Sequence, residues 1–151
     1  SLHPPLLNDL GLPATLSMLA EQVHRLPGIQ CTFACRGPAP GLARPEQVCL
    51  YRVMQEALSN AVRHSRASRI TVTLHAGARQ VTLRIRDNGN GFDATGRALE
   101  HGIGLRGMRE RLIRLGGRLL IHSARAQGTV LSAILPLQTP SPPDNQELAL
   151  P

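Results

Sequence analysis

Leu50, Val53, Met54, Ala57, Leu58 and Ala61 recur at the i, i+3, i+4, i+7 interval of a helix with one buried face. The rest of the chain has to supply the apolar surface that such a face covers. Pro45 falls in the first turn of the predicted helix, where its missing N–H costs little, and the helix is expected to end near Ser65. Within it, the stretch QEALSNAVRH, Gln55 to His64, puts Glu56, Asn60 and Arg63 or His64 on the opposite side, again at helical spacing. A carboxylate, a carboxamide and a cation one turn apart form a polar stripe. Solvated faces of ordinary surface helices carry such stripes too, so this one assigns no site by itself.

The flanking segments alternate between helix and strand. The opening LHPPLLNDLGLPATLSMLAEQVHRL is Pro-rich and then helical, with Asn8 or Asp9 available as cap and an apolar face of Leu12, Leu16, Leu19, Ala20 and Val23. Pro27 and Gly28 stop it. Ile29 to Arg36 alternates as a half-buried strand. Ser68 to His75 and Gln80 to Arg86 alternate about a turn at Gly77, which predicts an antiparallel hairpin. Asp87 to Gly104 has no periodicity and is rich in glycine, as expected of a binding loop or lid. A further helix is expected from Leu105 to about Leu115, then strands over Arg118 to Ser123 and Thr129 to Leu135. This order predicts an α+β fold: a mixed, largely antiparallel sheet with helices on one face. Residues 1–41 read as a linker helix and first strand, 42–135 as the core, and 136–151 as a disordered tail.

Composition narrows the function. A chain of 151 residues suits one domain, and with 2% aromatics its core must be aliphatic. The formal charge of +7 comes entirely from arginine and admits an acidic partner. The arginines are scattered, however, and with so few rings for base stacking we expect no nucleic-acid partner. Cys31, Cys35 and Cys49 fit no zinc spacing and are expected to be core or surface thiols, as in a reducing cytoplasm. No stretch approaches the ~18 apolar residues of a membrane span, so no membrane contact is expected of this segment. The chain begins at Ser1, not Met, and we expect it to be part of something longer, with the parent's membrane anchoring left open.

Two glycine motifs carry chemistry. Asp87-Asn88-Gly89-Asn90-Gly91 follows directly on a predicted strand. A carboxylate there can accept a hydrogen bond from an exocyclic amine, and the glycines let the backbone approach a flat ring. His101-Gly102-Ile103-Gly104-Leu105 leads into a helix, where exposed N–H groups suit phosphate. Each motif alone is weak, since either could be an ordinary turn or cap.

Their order is specific. A helix with Glu56 and Asn60, a hairpin, Asp-x-Gly-x-Gly, a glycine loop entering a helix and two strands resemble the ATP-binding catalytic domain of sensor histidine kinases. That domain belongs to the superfamily that also holds the ATPase domains of gyrase, Hsp90 and MutL. The stretches QEALSNAVRHSRAS and GIGLRGMRERLIRLGGRL look most like the nitrate-sensor subfamily, and the resemblance runs from about Leu42 to Leu135. It implies a Bergerat-type α/β sandwich that binds Mg-ATP and transfers the γ-phosphoryl to a histidine on the kinase's own dimerisation domain, then to a response regulator. By resemblance, Asn60 would hold Mg²⁺ and Glu56 would orient or deprotonate a water or assist the attacking imidazole. Arg63 or His64 would neutralise phosphate, and Asp87 with Gly89 and Gly91 would hold adenine. Gly102, Gly104 and Leu105 would wrap the phosphates, and the Thr129 hydroxyl would bond Asp87 or a bridging water. Arg106 and Arg109 are weaker candidates for phosphate. The phosphoacceptor pattern, a His followed by an acidic residue on a dimerising helix, is missing from this chain, and the lid between Phe92 and His101 is short. A serine kinase of the anti-sigma type, another ATPase of the superfamily, or a module that has lost catalysis are the alternatives.

Overall fold

A computed structural model describes residues 6–38, 41–92 and 104–137. In chain order the elements are α1 (Leu6–His24), β1 (Gln30–Arg36), α2 (Arg44–Arg63), β2 (Arg69–Ala76), β3 (Gln80–Asp87), α3 (Leu105–Arg114), β4 (Arg118–Ser123) and β5 (Thr129–Pro136). The strands form one sheet in the order β1-β2-β3-β5-β4. β1 lies parallel to β2, and the other three pairings are antiparallel. The expected α+β architecture, mixed and largely antiparallel, is the one observed.

All three helices cover one face. Alternation in β2 and β3 turns Ile70, Val72, Leu74 and Ala76, and Val81, Leu83 and Ile85, inward, where each is buried. They meet the α2 face of Leu50, Val53, Met54, Ala57, Leu58 and Ala61, also buried. α1 packs on β1 and α2, and α3 packs on β4, β5 and α2. The core is aliphatic, with Leu16, Leu50, Met54, Leu83, Leu112 and Leu135 among its largest fully buried side chains. Burial pushes the Cys31 and Cys49 thiols up to about 11, so both stay protonated at neutral pH, while Cys35 is exposed.

Two expectations need correction. Neither Asn8 nor Asp9 caps α1, which starts at Leu6 and breaks at Gly11 (φ 78, ψ 171). That conformation is open to glycine alone, and Pro13 follows where a restarting helix tolerates it. Thr15 Oγ1 donates to the Gly11 carbonyl at 2.7 Å and satisfies it across the break. β1, in turn, is less than half-buried. Within it only Cys31 is buried, because β1 is an edge strand. The expected tail beyond residue 137 and the lid positions His101 and Gly102 lie outside the described residues.

Candidate functional site

The register of the sheet assembles one end of the site. Asp87 of β3 lies opposite Thr129 of β5, which lies opposite Ser123 of β4. Three polar side chains thus share one inward row at the sheet's end. The Asp87 carboxyl is buried, and its Oδ1 accepts the Gly89 N–H at 2.8 Å. Burial pushes its pKa above the usual carboxylate range, while hydrogen bonds from the Gly89 and Thr129 backbone pull the other way. Asn88 faces outward and works as a clamp. Its Oδ1 accepts the N–H groups of Ser68 and Arg69 at 2.9 and 2.8 Å, and its Nδ2 donates to Ser68 Oγ at 2.9 Å. One residue of the motif therefore anchors the hairpin while its neighbour is held inward.

The glycines after Asp87 permit close approach. A Cβ on Gly89 would fall on Ser65, whose carbonyl accepts the Asn90 N–H at 2.7 Å. Gly91 has φ 65 and lies against the Ala124 carbonyl. The loop is thereby threaded between the end of α2 and the β4–β5 turn.

Ser123 ties these parts together, and sequence reasoning missed it. Its Oγ accepts the Phe92 N–H at 2.9 Å, donates to the Gly128 carbonyl at 3.0 Å and sits 2.8 Å from Thr129 Oγ1. A serine has one hydroxyl proton. With that proton on the Gly128 carbonyl, the Thr129 hydroxyl is the donor to Ser123. Thr129 is left with only lone pairs to offer; its hydroxyl bonds Ser123 here, where the sequence led us to expect Asp87 or a bridging water.

α2 supplies the facing wall. Burial of its apolar face leaves Glu56 and Asn60 half-buried and His64 exposed at the C-cap, whose N–H bonds the Asn60 carbonyl at 3.0 Å. α3 begins at Gly104, a left-handed N-cap (φ 72) with no side-chain cap and no acidic residue in its first turn. Its N–H groups and dipole there favour an anion. The Glu56 carboxylate abuts Gly104 closely enough that a Cβ would strike it.

A cavity of about 140 Å³ opens between these parts, lined by Ala57, Asn60, His64, Ser65, Gly91, Phe92, Leu105, Thr129 and Leu131. Cavities of about 150 Å³ hold a single aromatic ring. The site candidates Asn60, His64, Gly91, Leu105 and Thr129 are brought together on its wall. Asp87 and Gly89 lie just behind Thr129 and Ser65, and Glu56 and Gly104 meet beside it. Arg63 is not brought there. It borders a groove lined by Leu19, Val23 and Leu58, because α2 turns it toward α1. Arg106 pairs with Glu110 on the surface at 3.1 Å, and Arg109 is exposed. Phe92, Ser65 and Leu131 join the wall without any local sequence signal. Among the described residues no three His, Cys, Asp or Glu side chains gather to cage a metal. A lone carboxamide such as Asn60 still fits Mg²⁺, a cation that takes most of its shell from phosphate and water.

Residues 46–139 match the family model described as histidine kinase-, DNA gyrase B-, and HSP90-like ATPase. The chain is 37% identical over 147 residues to the sensor histidine kinase MctS of Rhizobium johnstonii, covering 96% of this chain and 32% of that protein. It is 35% identical to the signal transduction histidine-protein kinase/phosphatase DegS of Brevibacillus brevis, over 88% of this chain and 34% of the relative. It thus spans about a third of the length of these curated relatives. Among solved structures, the ATP binding domain of PrrB from Mycobacterium tuberculosis shares the fold at TM-score 0.61 and 22% identity, covering 84% of this chain and 94% of that one. The histidine kinase domain of the Erythrobacter litoralis blue-light activated kinase does so at TM-score 0.65 and 21% identity, over 83% of this chain and 61% of that one. With the family model covering well over half its length, the chain belongs to the histidine kinase-, DNA gyrase B- and HSP90-like ATPase family.

Proposed function

We propose that the chain is the ATP-binding catalytic domain of a cytoplasmic sensor histidine kinase. It binds Mg-ATP and presents the γ-phosphoryl to a histidine on a dimerisation domain elsewhere in the parent protein, from which the group passes to a response regulator. The observation that carries the proposal is the buried Asp87 carboxylate, with one oxygen taken by the Gly89 N–H, set beside a ring-sized cavity. The other carboxylate oxygen accepts the adenine amine, and Thr129 offers an acceptor next to it. Gly89 and Gly91 admit the ring, and Leu105 with Leu131 packs on it.

The triphosphate then runs toward α2 and the start of α3. Gly102 and Gly104, with the α3 N–H groups, hold phosphate oxygens, and His64 rather than Arg63 adds positive charge. Asn60 would hold Mg²⁺ through its carboxamide oxygen, and the cation would neutralise charge on the phosphates. Glu56 orients the incoming imidazole or takes its proton. Transfer of this kind rests on positioning and electrostatics, which these residues supply. The resemblance of GIGLRGMRERLIRLGGRL supports a nitrate-sensor-like parent and a nitrate-type response regulator.

Calorimetry with and without Mg²⁺ tests this. ATP should bind with Mg²⁺-dependent affinity, and Asn60→Asp should weaken Mg-ATP at least about tenfold while leaving the fold intact. Transfer to an added histidine-containing dimerisation domain should give an acid-labile product. Unchanged Mg-ATP affinity in the variant, or an acid-stable product, overturns the assignment.

A further inference from the structure

The sheet has a second face, which none of the helices among the described residues covers. Alternation places Arg36, Arg69, Arg84, Arg86 and Arg118 on it, and all five are exposed. His75 and His122 share it. The strands contain one acidic residue, Asp87, and that one turns inward. Arginines that look scattered along the sequence are thus gathered by the two-residue period of the strands onto one surface to which the strands bring no carboxylate. Such crowding opposes the compact state unless anions offset it.

The register organises part of this face into a cleft. Arg36 of β1 lies opposite His75 of β2, which lies opposite Thr82 of β3. In the adjoining row Thr73 lies opposite Arg84. Arg36, Thr73, His75, Thr82 and Arg84 together line an opening of about 440 Å³. Arg36 and Arg84 stand two strands and two residues apart, about 12 Å at the usual strand spacing and rise, with Thr73 and His75 between them. Arg84 Nε makes a long hydrogen bond to Ser132 Oγ at 3.4 Å, which orients the guanidinium and leaves its two terminal nitrogens for a ligand. Among the described residues, the side chains of Arg36, Thr73, His75 and Thr82 have no protein hydrogen-bond partner.

We propose that this cleft binds a phosphate monoester, separately from the cavity beside Asp87. Two guanidinium forks match phosphate oxygens bidentately. The hydroxyls of Thr73 and Thr82 and an imidazole N–H of His75 complete a donor set for a tetrahedral oxyanion. Among the described residues, no strand carboxylate on this face competes for the guanidiniums. With no aromatic side chain on the outward face, a nucleobase has nothing to stack on, so the phosphate group itself is what the cleft recognises.

Two histidines serve as built-in reporters, His75 for this cleft and His64 for the cavity beside α2. Proton NMR would follow both imidazoles during titration with glycerol 3-phosphate at constant ionic strength and pH, with chloride as control. A second arm uses sedimentation with phosphatidylcholine vesicles containing phosphatidic acid, which carries the same group on a lipid. Saturable movement of the His75 resonances, or retention on the vesicles, is expected. Either response should weaken at least about tenfold in Arg36→Gln/Arg84→Gln. Arg84→Lys, which keeps the charge without the fork, should fall between. Both positions are exposed, so the variants should melt as the parent does. No response in either arm, an equal response to chloride, or a response that survives the double substitution overturns the proposal. None of these outcomes bears on Mg-ATP binding beside Asp87, which His64 reports independently.

Discussion

Asp87 sits between stability and binding. Burial raises its pKa in the fold above its unfolded value, so its ionised form is harder to accommodate in the folded chain than in the unfolded one. That cost is absent below the unfolded value, near pH 4, and grows as pH rises through the folded value. Asp87→Asn removes the charge but keeps an oxygen for the Gly89 N–H. Without nucleotide, the variant should melt at or above the parent at pH 7, and the two should converge toward pH 4. Its affinity for ATP should fall about tenfold or more, as for loss of a hydrogen bond to a charged group, while inorganic triphosphate should bind as before. Equal losses for both ligands would show that Asp87 does not touch the adenine. Asp87 is legible in the sequence because its signal is local: a carboxylate at a strand end, followed at fixed offsets by glycines. Ser123 and Ser65 are not, because their partners, Phe92 and Asn90, lie far along the chain and meet them only through the sheet register and the end of α2.

Among the elements, β4 contributes to the site through the Ser123 hydroxyl, beside Thr129 and Leu131 of β5. Ser123 joins the Asp-x-Gly-x-Gly loop to the β4–β5 turn by way of the Phe92 N–H and the Gly128 carbonyl. Ser123→Ala leaves both groups, and the Thr129 hydroxyl, without their partner, which should cost about 1–3 kcal/mol. Amide exchange at Phe92 should quicken while exchange in α2 stays slow, and unchanged protection at Phe92 would mean that the loop is held by other contacts. α2 is legible because seven apolar positions repeat without interruption from Cys49 to Ala61. α1 is legible as a helix but not as a broken one. A glycine and a proline two apart allow a helix to begin after Asn8 or Asp9 as readily as they allow a break, and the packing of Leu7 and Leu12 into one core decides for the break. Arg63 and His64 show a similar limit. Both follow Asn60 on the wheel, and only the position of α1 separates the one that faces the cavity from the one that does not.

At the scale of the whole molecule, the sheet divides its labour by face, with the aliphatic core and the cavity on one side and the strand arginines, flanking the buried Ser132 and Ile134 of β5, on the other. The strand patterns announce this division, because alternation of aliphatic residues with Thr and Arg in β2 and β3 requires one covered face and one open one. They do not announce that β5 inserts between β3 and β4 or that β1 runs parallel at the edge, since pairing order is a property of the connections. The division predicts opposite outcomes for adjacent residues. Leu83 is wholly buried at the centre of the inward face, opposite Leu74 on one side and Ala133 on the other. Leu83→Ala opens a cavity between sheet and α2 and should cost about 2–5 kcal/mol. Thr82, one position earlier, points to the open face, and Thr82→Ala should change stability by no more than about 0.5 kcal/mol. Urea denaturation would measure both, with the midpoint moving and the slope unchanged for Leu83→Ala. Were Thr82→Ala the more costly of the two, the outward face would be covered by something in the folded protein, and the assignment of the two faces would have to be reversed.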